Sequence, residues 1–381
     1  MAGRPLALPS LVVAGLALTL GHTSGAPETG APVQFAGDSV RVVPFAQGLE
    51  HPWGMAFLPD GRLLVTERPG RLRIVDHEGR LSRPVDGMPK VFAVSQGGLL
   101  DVAIDPDFSS NRLVYLSYAE PRPGGAATAV ARGRLDAVAP RLDGLQVIFR
   151  QEPVHASGQH FGSRLVFARD GTLFVTLGDR YSLSERAQDL STTIGKVVRI
   201  NSDGSIPADN PFRDAPGARP EIFSYGHRNV QGAALEPSTG ALWTIEHGAR
   251  GGDEVNRPEA GRNYGWPVIS YGRHYSGAKI GEGTAKAGME QPLFYWDPSI
   301  APSGADFYTA DLIPAFKGNL FTGGLAAQAL VMLKIADGKV TGEERLDLDA
   351  RVRDVRQGPD GALWLAIDAE DGRILRVVPA R

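Results

Sequence analysis

The chain repeats one pattern six times: an alternating strand, a turn rich in Asp, Pro and Gly, and a leucine that opens a second strand. The copies read MAFLPDGRLLVTE, VAIDPDFSSNRLVYLSY, LVFARDGTLFVTLGD, AALEPSTGALWTIEHG, IPAFKGNLFTGG and DVRQGPDGALWLAID. The leucines at the shared position are Leu63, Leu113, Leu173, Leu242, Leu320 and Leu363. Period-two alternation around a glycine-containing turn indicates a β-hairpin.

Six hairpins constrain the fold strongly, because an isolated hairpin is only marginally stable in water and the copies must pack together. Units of about 40 to 50 residues with insertions match the blades of a β-propeller, whose closure leaves few exposed strand edges. A β-helix would need shorter and more regular repeats, and a pair of β-sandwiches would not explain six similar hairpins. The sequence therefore predicts an all-β, six-bladed β-propeller over residues 38–381.

The first 25 residues combine an early arginine, a short apolar run containing Pro9, and small residues suitable for cleavage. This arrangement resembles a secretory signal peptide, and a retained anchor is the alternative. No later segment reaches about 18 consecutive apolar residues, so stable membrane insertion is not expected. The chain has no cysteine, which excludes disulfides and thiolate metal sites. We expect a soluble protein that is periplasmic or secreted.

The charge balance excludes one class of partner. The formal net charge is −3 and the isoelectric point is near 6.3, and no basic cluster compensates for this balance. No excess of positive charge is present to neutralise phosphates, so a nucleic-acid partner is not expected.

Five polar residues occupy a similar place in the repeat, seven to eleven residues before the hairpin turn. They are Gln96, His160, Arg228, Arg351 and Arg353, and they come from four different copies. Residues at equivalent positions of the repeat lie at the same end of a closed ring of blades, so we expect all five at one mouth of the propeller. Convergent polar side chains at the mouth of a closed β architecture are typical of a ligand site.

The chemistry of these residues leaves alternatives open. Arg351 and Arg353 are two residues apart and should point to one face, where they favour either an acidic ligand or a salt bridge with Asp349 or Asp354. His160 is either a base suited to neutral pH or a loop imidazole bonded to a backbone carbonyl. The sequence contains neither a nucleophile-elbow motif nor a His-Glu-x-x-His metal motif.

The segment EHGARGGDEVN places Asp253, Glu254 and Asn256 in a glycine-rich loop. Carboxylate, amide and carbonyl oxygens without cysteine or paired histidine suit Ca²⁺ better than Zn²⁺ or copper. An ordinary turn stabilised by the Asp and Asn side chains is equally consistent with these residues.

Seven segments together resemble a known family. They are SQGGLLDVAIDPDF, SGQHFGSRLVF, YGHRNVQGAALEP, EHGARGGDEVN, GRNYGWP, HYSGAKI and RVRDVRQGPDG, and they lie in order between Val43 and Val378. The chain is similar to the soluble aldose sugar dehydrogenases that depend on pyrroloquinoline quinone (PQQ), also called the glucose/sorbosone dehydrogenase family. The resemblance implies a six-bladed propeller that binds PQQ at the mouth of its channel with Ca²⁺ beneath it, and that oxidises the C1 hydroxyl of aldoses to lactones.

The resemblance also implies roles for individual residues. His160 would remove the C1 hydroxyl proton while a hydride passes to the quinone, and Arg228 would stabilise negative charge on the quinone oxygen. The expected PQQ contacts are Gln96, Arg228, Asn229, Tyr275, Arg351 and Arg353. The expected calcium ligands are Glu254, Tyr264 and the carbonyls of Gly248 and Ala249. PQQ carries three carboxylates, which would give the arginine pair its partner.

The chain departs from many relatives at one cofactor contact. Those relatives carry a lysine in the fifth repeat, whereas FTGGLAAQAL has Ala326 at that place. This chain therefore lacks one positively charged side chain that contacts PQQ in those relatives, and the loss affects how tightly the cofactor binds. Two other functions compete with a sugar dehydrogenase: a calcium-dependent lactonase-type hydrolase and a catalytically silent binding propeller. Neither the preferred sugar nor the natural electron acceptor follows from the residue types.

Overall fold

The computed structural model describes residues 30–380, and the predicted signal peptide lies outside the described residues. The described chain forms six antiparallel sheets of three to five strands. The strands are β1 (Val33–Phe35), β2 (Asp38–Leu49), β3 (Pro52–Phe57), β4 (Leu63–Glu67), β5 (Arg71–Val75), β6 (Leu99–Ile104), β7 (Leu113–Arg122), β8 (Gly125–Asp136), β9 (Arg141–Arg150), β10 (Leu165–Phe167), β11 (Leu173–Thr176), β12 (Lys196–Ile200), β13 (Ile222–Tyr225), β14 (Val230–Leu235), β15 (Leu242–Glu246), β16 (Asp253–Asn256), β17 (Phe294–Trp296), β18 (Pro302–Phe307), β19 (Leu320–Gly324), β20 (Ala329–Ala336), β21 (Lys339–Asp347), β22 (Val352–Gln357), β23 (Leu363–Ile367) and β24 (Gly372–Pro379). The helical elements are α1 (Phe108–Asn111) and two 3-10 turns, Ser184–Gln188 and Pro314–Phe316.

The sheets are the blades of a six-bladed propeller, as the repeat predicts. The innermost strands are β3, β6, β10, β14, β18 and β22, and each contacts the next around the ring, with β22 returning to β3. Blade 1 contains β3–β5, blade 2 β6–β9, blade 3 β10–β13, blade 4 β14–β17 and blade 5 β18–β21. Blade 6 combines β22–β24 with β2 and β1 from the start of the described chain, and so closes the ring.

Each of the six shared leucines opens the second strand of its blade. Five of them are buried, and Leu113 is partly buried. Hydrophobic clusters lie between neighbouring blades, for example between blades 1 and 2 and between blades 5 and 6. Burying a leucine side chain contributes about 1.5–3 kcal/mol, so the repeated position stabilises the packing of every blade.

The central channel contains a buried ionic network. The guanidinium of Arg164 lies 3.2 Å from Asp101 and 3.0 Å from Asp354, and Arg356 lies 3.4 Å from Asp354. The carboxylates of Asp101 and Asp354 also accept backbone N–H bonds from β10 and β3, both at 2.9 Å. Gly304 on β18 faces this network, and a Cβ there would overlap the Asp354 carboxylate. The network thus connects the innermost strands of several blades inside the channel.

Within the described residues, no helix is long and apolar enough to span a bilayer.

Candidate active site at the propeller mouth

A cavity of about 370 Å³ opens at one mouth of the channel, and all six blades contribute to its wall. Its basic side chains are His51, Arg68, His247, Arg351 and Arg353, and its amide side chains are Gln96 and Gln231. Trp53, Leu100, Phe161 and Leu325 supply apolar surface, and Asp368 is the acidic residue of the lining. A cavity of this size with apolar surface and convergent polar groups suits a small organic ligand, and the basic wall favours an anionic one.

Antiparallel pairing explains why these residues meet. The beginning of a blade's first strand and the end of its second strand lie at the same end of the sheet. Gln96 and Arg351 precede the innermost strands β6 and β22. Arg68, His247, Leu325 and Asp368 all lie five residues after the shared leucine of their blade and line the same cavity, which the sequence analysis missed.

His160 lies beside this cavity, between Gln96 and Asp179. Its backbone adopts φ 53°, and its N–H donates to Gln96 Oε1 at 2.8 Å. Its ring is buried, and Nδ1 lies 2.6 Å from Asp179 Oδ1. Burial lowers the pKa of His160 and outweighs the hydrogen bond to Asp179, and the nearby charge of Arg228 lowers it further. The imidazole is therefore neutral at neutral pH, as a general base must be.

Asp179 fixes the orientation of this imidazole, and the sequence analysis did not identify it. Burial would raise the pKa of Asp179, but the hydrogen bond from His160 and the charges around it hold that pKa below its usual value. Asp179 is thus ionised and accepts the Nδ1 proton, which leaves the Nε2 lone pair of His160 available. Asp179 also accepts hydrogen bonds from the indole N–H of Trp266 at 2.8 Å and the backbone N–H of Tyr181 at 2.8 Å.

Arg351 and Arg353 share a carboxylate that differs from both sequence candidates. Arg353 lies 2.7 Å and Arg351 3.7 Å from Asp368 Oδ2, because Asp368 follows β23, which pairs with β22. Asp354 instead belongs to the channel network. His51 contacts the other oxygen of Asp368 at 2.7 Å. One carboxylate thus faces two guanidiniums and an imidazole, so the positive charges of Arg351 and Arg353 outnumber the negative charge of Asp368.

Arg228 lines a second, much smaller cavity, which shares His247 with the large one, and its charge acts on His160. Its guanidinium donates to the carbonyls of His247 (3.2 Å) and Gly248. Its backbone N–H donates to Glu246 at 2.7 Å. The indole of Trp266 lies 5.3 Å from the guanidinium carbon. Arg228 is therefore held in place by contacts that leave its charge close to His160.

The smaller cavity, about 10 Å³, is lined by Arg228, Gly248, Glu254 and Tyr264 among others. Glu254 pairs in register with Glu246 on the adjacent strand, so two carboxylates face each other. Burial and the repulsion from Glu246 raise the pKa of Glu254 to about 8. A volume of this order holds one water-sized species, and a pair of neighbouring carboxylates favours a bound cation, which would displace the proton from Glu254.

Of the other predicted calcium residues, Gly248 and Tyr264 also line the smaller cavity, whereas Ala249 does not. The Tyr264 hydroxyl donates to the Arg257 carbonyl at 2.6 Å and accepts from the Glu259 N–H at 3.0 Å. Ala249 lies in a tight turn that bridges to Gly251, outside the lining of the smaller cavity. Asp253 accepts hydrogen bonds from Gly248, Ser299, Ile300 and Ala301, so it organises the surrounding loops. Within the described residues, no cluster of three or more His, Cys, Asp or Glu side chains forms a metal site.

Three further residues of interest lie outside the lining of the large cavity. Asn229 accepts the Gly162 N–H at 3.1 Å and so ties the loop of His160 to blade 4. Tyr275 has a side chain that is 64% exposed, on a loop beyond the cavity wall. Ala326 is exposed in the turn between β19 and β20, immediately after Leu325 of the cavity wall.

Comparison with known proteins identifies close relatives over most of the chain. The family model for Glucose / Sorbosone dehydrogenase matches residues 49–376. Aldose sugar dehydrogenase YliI of Escherichia coli is 46% identical over 347 residues, which cover 90% of this chain and 93% of that protein. The crystal structure of the soluble aldose sugar dehydrogenase of Escherichia coli in the apo-form matches with a TM-score of 0.87 and 46% identity, covering 89% of this chain and 99% of the other. The PQQ-bound aldose sugar dehydrogenase of Streptomyces coelicolor matches with a TM-score of 0.76 and 29% identity, covering 91% and 99%.

Proposed function

The chain belongs to the glucose/sorbosone dehydrogenase family and is an oxidoreductase that acts on sugars, and from this premise we propose that it oxidises the C1 hydroxyl of aldoses to lactones with PQQ and Ca²⁺. The observation that carries the proposal is the pair formed by His160 and Asp179 beside a cavity with a basic wall. The natural electron acceptor is left open.

The residues of the large cavity fit PQQ. PQQ is a planar quinone with three carboxylates, and when bound it supplies the hydride acceptor. The side chains of Arg351 and Arg353, with Arg68 and Gln96, offer several donors to such carboxylates. The Nε atoms of Arg228 and Arg353 are buried and have no hydrogen-bond partner among the described residues, so donors remain for a ligand. Trp53 and Phe161 supply aromatic surface for a planar ring.

His160 and Arg228 perform complementary tasks in this proposal. His160 Nε2 accepts the proton of the C1 hydroxyl, and Asp179 stabilises the imidazolium that results. Burial, assisted by the charge of Arg228, lowers the pKa of His160 and so keeps the resting imidazole neutral, and Arg228 stabilises negative charge that develops nearby in the transition state. The contacts of Asn229 and Gln96 hold the loop of His160 at both sides.

The smaller cavity fits one cation. Glu254 is the side-chain ligand that we propose for Ca²⁺, because it lines this cavity and pairs in register with Glu246, whose negative charge, together with burial, raises the pKa of Glu254. Gly248 and Tyr264, which line this cavity, and the carbonyl of Ala249 in the adjoining turn are proposed to add oxygen ligands, and Ca²⁺ accepts such mixed sets of oxygens. The Gly248 carbonyl already accepts from Arg228, so it links this cavity to the neighbourhood of His160.

The structure gives no support to the hydrolase alternative. A lactonase-type propeller needs a metal centred in the channel and bound by carboxylates from several blades. The channel carboxylates Asp101 and Asp354 are instead paired with Arg164 and Arg356. Their negative charge is already compensated.

We also propose that the protein is exported to the periplasm or secreted, with residues 1–25 as the cleaved signal peptide and residues 38–381 as the catalytic propeller. The support is the sequence of the first 25 residues.

The proposed function predicts that the purified protein, supplied with Ca²⁺, binds PQQ in an absorbance titration and then reduces an artificial acceptor dye with D-glucose or another aldose. Arg351→Met should weaken PQQ binding by about 10- to 100-fold, because it removes a charge-assisted hydrogen bond. Arg141→Met is the control, since Arg141 is an exposed arginine paired with Asp143 on β9. A wild-type protein that does not bind PQQ would contradict the proposal.

The calcium site predicts a separate result. Ca²⁺ should raise the melting temperature of the wild type, because a ligand that binds the folded state stabilises it. Glu254→Gln should abolish most of this increase, since it removes the carboxylate that we propose as the ligand of the cation. Glu259→Gln, an exposed glutamate a few residues away, should respond to Ca²⁺ as the wild type does. An unchanged calcium response in Glu254→Gln would remove Glu254 from the site.

A further inference from the structure

The turn after β11 has an unusual backbone. Arg180 and Tyr181 are consecutive non-glycine residues with φ 57° and 70°. The left-handed conformation is unfavourable for residues that carry a Cβ. Conformations of this kind persist where the surrounding contacts fix them, and they cluster at functional sites.

Contacts on the inner side fix this turn. The buried guanidinium of Arg180 donates to the carbonyls of Gln159 (2.6 Å) and Ser157. It also lies 3.5 Å from the centre of the Phe161 ring. Three residues of the loop that carries His160 are therefore held by one side chain of the turn. The same turn places Asp179 against the His160 ring.

The outer side of the turn presents Tyr181 to solvent. Tyr181 is 50% exposed, and its ring centre lies 5.4 Å from that of His160 in an edge-to-face arrangement. Its hydroxyl forms no hydrogen bond with the described part of the chain. The turn thus places an accessible aromatic ring and a free hydroxyl directly beside the proposed base.

This arrangement matches the chemistry of an aldose in its ring form. A pyranose has an apolar C–H face that packs on aromatic rings and a rim of hydroxyls that needs hydrogen-bond partners. Tyr181 packs against the imidazole, so a sugar whose C1 hydroxyl reaches His160 comes close to the tyrosine ring. Tyr181 offers both kinds of contact.

We propose that Tyr181 is a substrate-contacting residue that packs against the C–H face of an aldopyranose and favours sugars in their ring form. This inference rests on the proposed function, because it takes His160 as the base. It adds a residue for substrate affinity, distinct from the residues proposed to bind the cofactor.

The test compares Tyr181→Ala, Tyr181→Phe and Tyr181→Gly with the wild type. With PQQ and Ca²⁺ bound and D-glucose as substrate, Tyr181→Ala should raise KM about tenfold, the scale expected for losing one apolar contact. The kcat should change by less than about threefold, and the midpoint of the PQQ titration should not move. Tyr181→Phe keeps the ring and should retain most of the affinity. Tyr181→Gly accepts positive φ without strain, so its KM separates loss of the ring from a disturbed backbone.

An unchanged KM in both Tyr181→Ala and Tyr181→Gly would overturn the proposal, and so would a selective loss of PQQ binding. A second measurement separates this failure from a failure of the proposed function. If the wild type does not oxidise D-glucose, the sugar contact is tested directly by measuring D-glucose binding with saturation-transfer NMR. A saturation-transfer signal that is present in the wild type and lost in Tyr181→Ala supports the sugar contact. Equal signals in the two proteins, or no signal in the wild type, refute it.

Discussion

Replacing His160 by alanine is expected to lower kcat for D-glucose by about 10²- to 10⁴-fold, the range that a general base contributes. The cause is local: His160 carries the lone pair that Asp179 orients, and a methyl group cannot accept the proton. PQQ should still bind, because the arginine wall does not depend on this ring. Dye-reduction kinetics and the PQQ titration measure the two effects separately.

The pH dependence of the wild type checks the same assignment. Burial and the charge of Arg228 place the pKa of His160 below the ordinary value of 6.5. The neutral imidazole is the form that accepts a proton, so kcat/KM should be sustained at pH 6.5 and above. It should fall as the pH drops below 6.5 and His160 becomes protonated. His77→Ala, at an exposed histidine remote from the mouth, should match the wild type in rate and profile. More than a tenth of the wild-type kcat in His160→Ala would refute the role.

The second large effect is on stability. Arg164→Met is expected to lower the free energy of unfolding by about 3–5 kcal/mol, because it leaves Asp101 and Asp354 in the channel with one cation instead of two. Arg164 also donates to the backbone carbonyls of Gln231 (2.7 Å) and Arg353 (3.0 Å), and these bonds are lost as well. Denaturant unfolding followed by circular dichroism measures the change.

Two controls make this prediction specific. Arg141→Met removes an exposed ion pair on β9 and should change the free energy of unfolding by less than about 1 kcal/mol. Adding Asp101→Asn to Arg164→Met restores charge balance and should recover part of the loss. If Arg164→Met is as stable as Arg141→Met, the network does not stabilise the ring.

The fold follows from the sequence because it depends on a repeated local pattern. The turn chemistry and the leucine after it define each hairpin without knowledge of the rest of the chain, and radial packing is the arrangement that buries all six. Five residues were predicted at one mouth: Gln96, Arg351 and Arg353 line the cavity there, and His160 contacts Gln96. Arg228 lines the smaller cavity instead.

The site residues that the sequence patterns did not identify are brought to the mouth by the pairing of strands. Asp368 was not recognised as the partner of the arginines because the two sequence candidates, Asp349 and Asp354, are nearer along the chain. The cross-strand neighbour is nearer in space. Asp179 and His247 follow second strands, and extending the repeat alignment beyond the shared leucine would have placed them at the mouth. The orientation of the Tyr264 hydroxyl and the exposure of Tyr275 depend on irregular loops, which no pattern of residue types determines.

The closure of blade 6 has a consequence for biosynthesis. Its outer strand β2 is among the first segments of the propeller to be made, and its partner β24 is the last. The carboxyl-terminal strand therefore has to leave the ribosome before the circle can be completed. A growing chain is an open arc whose end blades each expose an unpaired face. For a protein that is exported as we propose, the ring stays open until β24 is available to pair with β2, and an open ring favours threading of the chain across a membrane before the circle forms.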